Sequence, residues 1–376
     1  MKIAQIAPLT ESVPPRLYGG TERMVSYLTE ELVRQGHDVT LFASGDSLTK
    51  ATLVAGCPRA LRAIRGASDF LVPHIVMLNE VRRRAHAFDI LHFHIDMLHY
   101  PLIGDMAGRA VTTLHGRLDH PDLRILYAAF TDIPLVSISH SQRRPIPPVN
   151  WVGCVSHGLP GELLALHAQP SGCYLAFLGR ISPEKRPDRA IEIAARSGQK
   201  LRIAAKVDAA DRIYWRDQIE PLVRRHGNVE YVGEIDDVDK AAFLGNASAL
   251  LFPIDWPEPF GLAMIEAMAC GTPVIGWRMG SVPEVIEEGR TGFIVSSVDE
   301  AVGAVGRVSM LDRAAIRETF ERKFTVERMA KDYLEIYRSL KSRHANGPEA
   351  EQAGTGSNRF GAPRRQNGDA HSTPQT

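Results

Sequence analysis

The sequence predicts an α/β protein of two domains, and three observations carry that reading. The chain opens on a strand–helix–strand unit, a second strand–helix series begins after the linker-like stretch HAQPSG at 167–172, and 376 residues suffice for two ordinary cores. In the opening unit, KIAQIA at 2–7 has the composition of a buried strand, and a turn-rich run through Pro8, Pro14, Pro15, Gly19 and Gly20 follows it. Thr21 is expected to cap a helix with Met24, Tyr27, Leu28 and Leu32 on one face, ended by Gly36, and DVTLFAS is the next strand. The G-x-G-x-x-G fingerprint is absent from this βαβ unit, which disfavours a nicotinamide enzyme.

Four more segments complete the first series: DILHFHI at 89–95, AVTTL at 110–114, LVSISHSQR at 135–143 and WVGCVSHGLP at 151–160. His92 and His94 share one face of their strand, with His99 nearby. No carboxylate or thiolate stands at a fixed spacing from them, so they read as core histidines rather than metal ligands. Arg82, Arg83 and Arg84 close the helical run PHIVMLNEVRRRAHAF and read as a solvated face, with a lipid surface or an anionic acceptor as the alternative. In the second series CYLAFLGR, LRIAAK, VEYVG, ALLFPI and RTGFIV read as strands, with a helix expected over 210–226. A last helix is expected over 325–342, because Met329, Tyr333, Ile336, Tyr337 and Leu340 fall on one stripe. From residue 345 the chain is rich in Gly, Pro, Gln, Asn and Ser, and a disordered tail is expected.

Charge and cysteine usage narrow the class. The 44 basic residues balance 44 acidic ones, which argues against a nucleic-acid binder relying on bulk electrostatics. Cys57, Cys154, Cys173 and Cys270 lack metal-type or disulfide-type spacing, and no stretch has the length of a membrane span or the pattern of a secretory signal. A soluble cytoplasmic protein is the expectation.

The chemistry concentrates in PEPFGLAMIEAMACGTPVIG, residues 257–276. Pro257 and Pro259 keep Glu258 out of a helix, so it belongs to a loop. From Gly261 the run is apolar or small on every side until Gly271 and Pro273 stop it, as in a short buried helix. Its one charge is Glu266, and a buried carboxylate needs a partner. That partner is either a structural ion pair or a ligand with two hydroxyls, such as a ribose diol. The amides of Phe260, Gly261 and Leu262 stand at the helix start, where unsatisfied donors and the macrodipole favour an anion. Two carboxylates with open amides between them describe a site for a polyol phosphate.

Glu258 and Glu266, with seven residues between them in the setting PEPFGLxxxEAMACGTPVI, closely resemble the signature of the retaining glycosyltransferases of family four. In that family the first Glu contacts the donor sugar and the second the nucleotide ribose, which implies those roles for Glu258 and Glu266. The resemblance extends over most of residues 1–343. Gly19 and Gly20 match glycines that lie against the donor phosphates, His115 in T-x-H matches an imidazole near the donor sugar, and Arg180 and Lys185 match the G-R-x-x-x-E-K loop that binds the pyrophosphate. Ser139, Ser141, Gln142 and the His157-Gly158 step match further family positions, as do Gly280 and Ser281 in GSVPEVI.

The resemblance implies a GT-B fold, two facing Rossmann-like domains with the cleft between them. An acceptor-binding domain is expected over 1–168, a nucleotide-sugar domain over 169–324, a helix crossing back to the first domain over 325–343 and the tail over 344–376. The expected reaction moves a hexose from a nucleotide-diphosphate sugar to an acceptor hydroxyl, with retention and without a metal or other cofactor. UDP-glucose or GDP-mannose are the expected donors, and a small-molecule, glycan or lipid-linked acceptor is expected. Asp237-Val238-Asp239 mimics the D-x-D metal motif of another glycosyltransferase class, but its position before AAFLGNA makes these acids expected helix caps instead. The competing readings are a catalytically silent nucleotide-sugar binder and an epimerase of similar architecture.

Overall fold

The structure, a computed structural model, describes residues 1–16, 19–65 and 69–345. Two parallel sheets are formed by runs that are apolar on both faces, the pattern of strands covered by helices on either side. The first sheet comprises β1 (Lys2–Ile6), β2 (Asp38–Ser44), β3 (Thr52–Cys57), β4 (Ile90–Phe93), β5 (Ala110–Thr113), β6 (Leu135–Ser137) and β7 (Trp151–Cys154), in the order β3-β2-β1-β4-β5-β6-β7. The second comprises β8 (Tyr174–Arg180), β9 (Lys200–Lys206), β10 (Val229–Gly233), β11 (Ala249–Phe252), β12 (Val274–Trp277) and β13 (Gly292–Val295), in the order β10-β9-β8-β11-β12-β13. Strand order reverses between β1 and β4 and again between β8 and β11. Open parallel sheets bind ligands beyond the carboxyl ends of such neighbours.

The edge strand β3 is absent from the sequence reading. Its TLVAGC is only partly buried and pairs with β2 alone, so the apolar signal is weak.

The helices used below are α1 (Gly20–Arg34), α2 (Leu71–Arg84), α3 (Pro121–Ala129), α4 (Pro187–Ser197), α5 (Asp237–Gly245), α6 (Leu262–Ala269), α7 (Val298–Val305), α8 (Arg313–Lys323) and α9 (Val326–Ala345). Thr21 does not cap α1. The helix starts at Gly20, and the cap position is taken by Gly19, which has no side chain to cap it. In α2 the buried face is His74, Met77, Leu78 and Val81; Arg82 and Arg83 are exposed, and Arg84 pairs with Glu80 at 2.5 Å. The helix expected over 210–226 is interrupted by a π-helical turn at Trp215–Ile219, just before Pro221, which has no N–H to continue the α ladder.

The last helix belongs to the first domain's core. Met329, Ala330, Tyr333, Leu334, Tyr337 and Leu340 of α9 pack with Ile3, Leu28, Leu32, Ile90, Val111 and Val136. Each apolar side chain so buried contributes about 1.5–3 kcal/mol relative to exposure, so α9 is a principal stabiliser of a sheet made some 170 residues earlier. It runs to Ala345, and the expected disordered tail lies outside the described residues beyond it.

Polar contacts join the domains directly, two of them beside the cleft's facing loops and helices. The Glu284 carboxylate accepts from the amides of His140 and Ser141 at 2.8 and 2.7 Å, and Arg23 of α1 pairs with Asp237 of α5.

Candidate functional site

On the C-terminal side, the chain leaves β11 at Phe252 and turns through Pro257-Glu258-Pro259, where the two prolines hold Glu258 in a loop. Gly280 packs against the backbone of this loop so closely that an added Cβ would fall 2.3 Å from the amide nitrogen of Glu258. With its φ of 54°, only glycine serves there. The Ser281 amide donates to the Glu258 carbonyl at 3.0 Å, and its hydroxyl donates to the Phe260 carbonyl at 2.7 Å. The loop's direction is therefore set by the segment after β12. Oε2 of Glu258 accepts from Lys185 Nζ and, at 3.0 Å, from Trp256 Nε1. Lys185 also stands 4.9 Å over the Trp256 ring.

Gly261 precedes α6 with φ 83°, and no side chain caps the helix. The amides at its start remain available to an anion. One turn on, the buried Glu266 accepts from Lys240 Nζ at 2.7 Å. Lys240 reaches Asp237 at 3.0 Å, and Asp237 reaches Arg23 across the cleft. Burial alone would lower the Lys240 pKa, but Glu266 and Asp237 outweigh it and raise the pKa, so the ammonium stays charged. The structural ion pair is thus the partner Glu266 has in this structure. The expected capping role is also corrected. Asp236, not Asp237 or Asp239, caps α5, its carboxylate accepting from the amides of Val238 and Asp239 at 3.0 Å each.

Arg180 ends β8, pairs with Glu184 and lies 3.3 Å from Asp211. Lys185 follows in the short turn before α4.

The N-terminal side is different in character. The start of α1 faces the start of α6: a Cβ on Gly20 would meet Leu262 Cδ1 at 3.6 Å. Gly19 leaves no room for a side chain, because a Cβ there would lie 2.7 Å from Pro15. His115 follows β5 and stacks on His157, with ring centroids 5.3 Å apart and planes 14° from parallel, and His157 meets Phe260 edge-on at 5.0 Å. Burial pushes the His115 pKa down to about 3 and that of His157 well below its ordinary value, so both rings are neutral at pH 7. Gln142 fixes the loop after His115 by donating to the carbonyls of Leu114 and Gly116 at 2.8 and 2.7 Å.

All ten candidate residues from the sequence, Gly19, Gly20, His115, Arg180, Lys185, Glu258, Phe260, Gly261, Leu262 and Glu266, line one cleft of about 440 Å³ between the two domains. The sequence reading missed Lys240 and Trp256, the protein partners of the two carboxylates. Lys240 meets Glu266 only through the tertiary fold, whereas Trp256 stands two residues before Glu258, and that adjacency is the one signal that could have found it. Lys206, Glu234 and Ile235 line the cleft as well. His92, His94 and His99 are buried in the first domain, and among the described residues no His, Cys, Asp and Glu group is arranged to hold a metal ion.

Two parallel-sheet domains whose strand ends share one cleft are the GT-B architecture of glycosyltransferases. The family comparisons agree with the geometry: residues 18–157 match the model for Glycosyltransferase Family 4 and residues 168–310 that for Glycosyl transferases group 1. The chain belongs to glycosyltransferase family four. An uncharacterised glycosyltransferase of Methanocaldococcus jannaschii is 23% identical over 89% of this chain and 98% of its own length. The alpha-maltose-1-phosphate synthase of Mycolicibacterium smegmatis is 24% identical over 89% of this chain and 99% of its own. Among solved structures, Anabaena HepE in complex with UDP and glucose superposes with a TM-score of 0.70 at 17% identity, covering 90% of this chain and 100% of that one. No helix among the described residues is long and apolar enough to cross a membrane.

Proposed function

We propose that this glycosyltransferase transfers a hexose from a nucleoside-diphosphate sugar to an acceptor hydroxyl, with retention at the anomeric carbon and without a metal. One observation supports the reading: Glu258 and Glu266 line a single cleft together with Arg180, Lys185 and the starts of α1 and α6. Glu266 accepts from the ribose diol while keeping or yielding its bond to Lys240. Arg180 supplies a fork and Lys185 a point charge to the diphosphate, and the amides near Gly20 and Gly261 add aligned donors. These groups stabilise the charge that develops as the bond from the anomeric carbon to the phosphate oxygen breaks. Glu258 positions the sugar, and His115 lines its pocket. The acceptor hydroxyl attacks the same face that the diphosphate leaves, and no side chain is assigned as a covalent nucleophile.

UDP-glucose and GDP-mannose are the donors to try first; UDP and glucose in the HepE complex are one precedent for such a ligand in this fold. The test incubates the protein with each labelled donor in the presence of EDTA. Transfer, or slow hydrolysis of the donor, supports the reading, and activity lost with EDTA but restored by a divalent ion removes the metal independence. Isomerised sugar would make the protein an epimerase, and saturable binding without turnover would make it a binder. An inverted anomeric configuration in the product would overturn retention.

A further inference from the structure

Lys185 and Glu258 meet in the cleft, and the two loops that carry them are joined again behind it. The turn after β8 ends at Lys185 and Arg186, and the loop after β11 runs from Pro253 to Gly261. The Asp255 amide donates to the Glu184 carbonyl at 2.8 Å. Arg186 Nη1 donates to Asp255 Oδ2 at 2.9 Å, while its Nε and Nη2 hold the Asp188 carboxylate at 3.0 and 2.8 Å. Arg189, in the first turn of α4, donates to the carbonyls of Pro253 and Ile254 at 3.0 and 3.2 Å. Arg186 and Asp255 do not line the cleft, whereas their neighbours Glu184, Lys185, Trp256 and Glu258 do.

The backbone of Arg186 shows that its side chain is wanted there. Its φ and ψ are both 53°, the left-handed region that a residue with a Cβ disfavours and glycine enters freely. Strained positions of this kind gather at functional sites. The left-handed step takes the chain from the Lys185 turn straight into Pro187, the first residue of α4. A glycine would make that step with less strain, so turning the chain does not call for an arginine. What the arginine adds is a planar guanidinium that grips Asp188 on its own side and reaches Asp255 on the other loop. Burial would raise the Asp188 pKa, but Arg186 and the Tyr214 hydroxyl, which donates to it at 3.1 Å, outweigh burial and hold it below its ordinary value. On the far side Trp256 follows Asp255 and donates to Glu258, so the place of Asp255 is passed to that carboxylate.

We infer that Arg186 and Asp255 are positioning residues that strap the Lys185 turn to the Glu258 loop, keeping ammonium and carboxylate in register once a ligand draws them apart. The kinetic half of this inference rests on the proposed function, and the structural half does not. When Lys185 turns to a diphosphate and Glu258 to a sugar, the bond between them weakens and the strap alone fixes the spacing of the loops. A misplacement of about 1 Å suffices to lower turnover on the order of a hundredfold.

The test is Arg186→Gly, which relieves the left-handed strain and removes the strap together. In the free full chain, hydrogen–deuterium exchange read by mass spectrometry should quicken about tenfold over 253–261 and stay as in wild type over β12. Tenfold is about the low end for one hydrogen bond to a charged group, because Asp255 is half exposed. Asp255→Ala should give the same change, and the double variant should exchange no faster than either single one, since both remove one contact. Unchanged exchange over 253–261 in the folded variants overturns the inference, as does a general loss of protection across the C-terminal domain, which would make Arg186 a residue of the fold. With UDP-glucose or GDP-mannose, kcat should fall about 10- to 100-fold in both single variants with a smaller change in donor KM. Arg186→Lys, which keeps the charge without the fork, should recover part of that loss. An intact kcat in both folded variants overturns the positioning role. If Arg186→Gly does not fold, Asp255→Ala decides. No turnover of either donor by the wild-type protein counts against the proposed donors and leaves the strap to the exchange measurement.

Discussion

The two walls of the cleft are built on opposite principles. The C-terminal wall stores its polar groups as ion pairs, Glu258 with Lys185 and Glu266 with Lys240, whereas the N-terminal wall presents neutral imidazoles tied into hydrogen bonds. An ammonium can share itself between a carboxylate and an arriving phosphate, so the ionic wall suits a charged ligand. Neutral rings of fixed direction suit hydroxyls, which must be read by geometry rather than by charge. The contrast teaches that one cleft can combine a wall built on charge with a wall built on the direction of neutral hydrogen bonds.

The comparison is broken most severely at Lys240. Lys240→Met leaves Glu266 buried and unpaired, and should cost about 3–5 kcal/mol in urea unfolding, with most of it recovered in Lys240→Met/Glu266→Gln. A single variant as stable as wild type would show that Glu266 does not depend on a cation.

Arg180→Ala should lower kcat about 10²–10³-fold in steady-state assays, with a smaller change in donor KM, because the guanidinium acts on charge that develops during transfer. An intact kcat would move diphosphate stabilisation to other groups.

The neutral wall is tested by acid. His92, His94, His99, His115 and His157 all have pKa values depressed by burial, to about 3 for His99 and His115. Between the unfolded value near about 6.5 and the folded values, the unfolded chain binds more protons, so stability falls as pH drops through that window and is flat in this respect above it. Each ring contributes up to about 1.4 kcal/mol per pH unit. Unfolding temperatures followed by circular dichroism should therefore decline from pH 6.5 downward, and a flat profile to pH 4 would mean that these rings are solvated.

The smallest effect is expected where the walls meet. Asp237→Asn removes the bridge to Arg23, and because Asp237 is partly solvated the loss should be about 1 kcal/mol or less and should shrink at high salt. A larger, salt-independent loss would mean that the bridge is carried by packing.

Much of this was legible in the sequence where a residue's role is set by its immediate neighbours. Glu258 between two prolines could only be a loop residue, and the run from Leu262 to Ala269 with Gly271 behind it could only be a short buried helix. What escaped depended on distant parts of the chain. The Lys240 that neutralises Glu266 lies on another helix, and the Gly280 that shapes the Glu258 loop sits beyond the next strand. Thr21 misled because a good capping residue followed a glycine that took the cap position itself. Asp237 misled in a related way: Asp236 claimed the amides and freed its neighbour to bridge the domains.

The placement of α9 has a consequence for synthesis and for engineering. A ribosome releases the whole seven-strand sheet before it makes the helix that seals one of its faces, so the domain translated first is finished last. A fragment stopping at residue 168 would bare Ile3, Leu28, Val111 and Val136 to water. Chimeras that trade partners at the linker inherit a foreign seal unless the terminal helix is exchanged along with the first half.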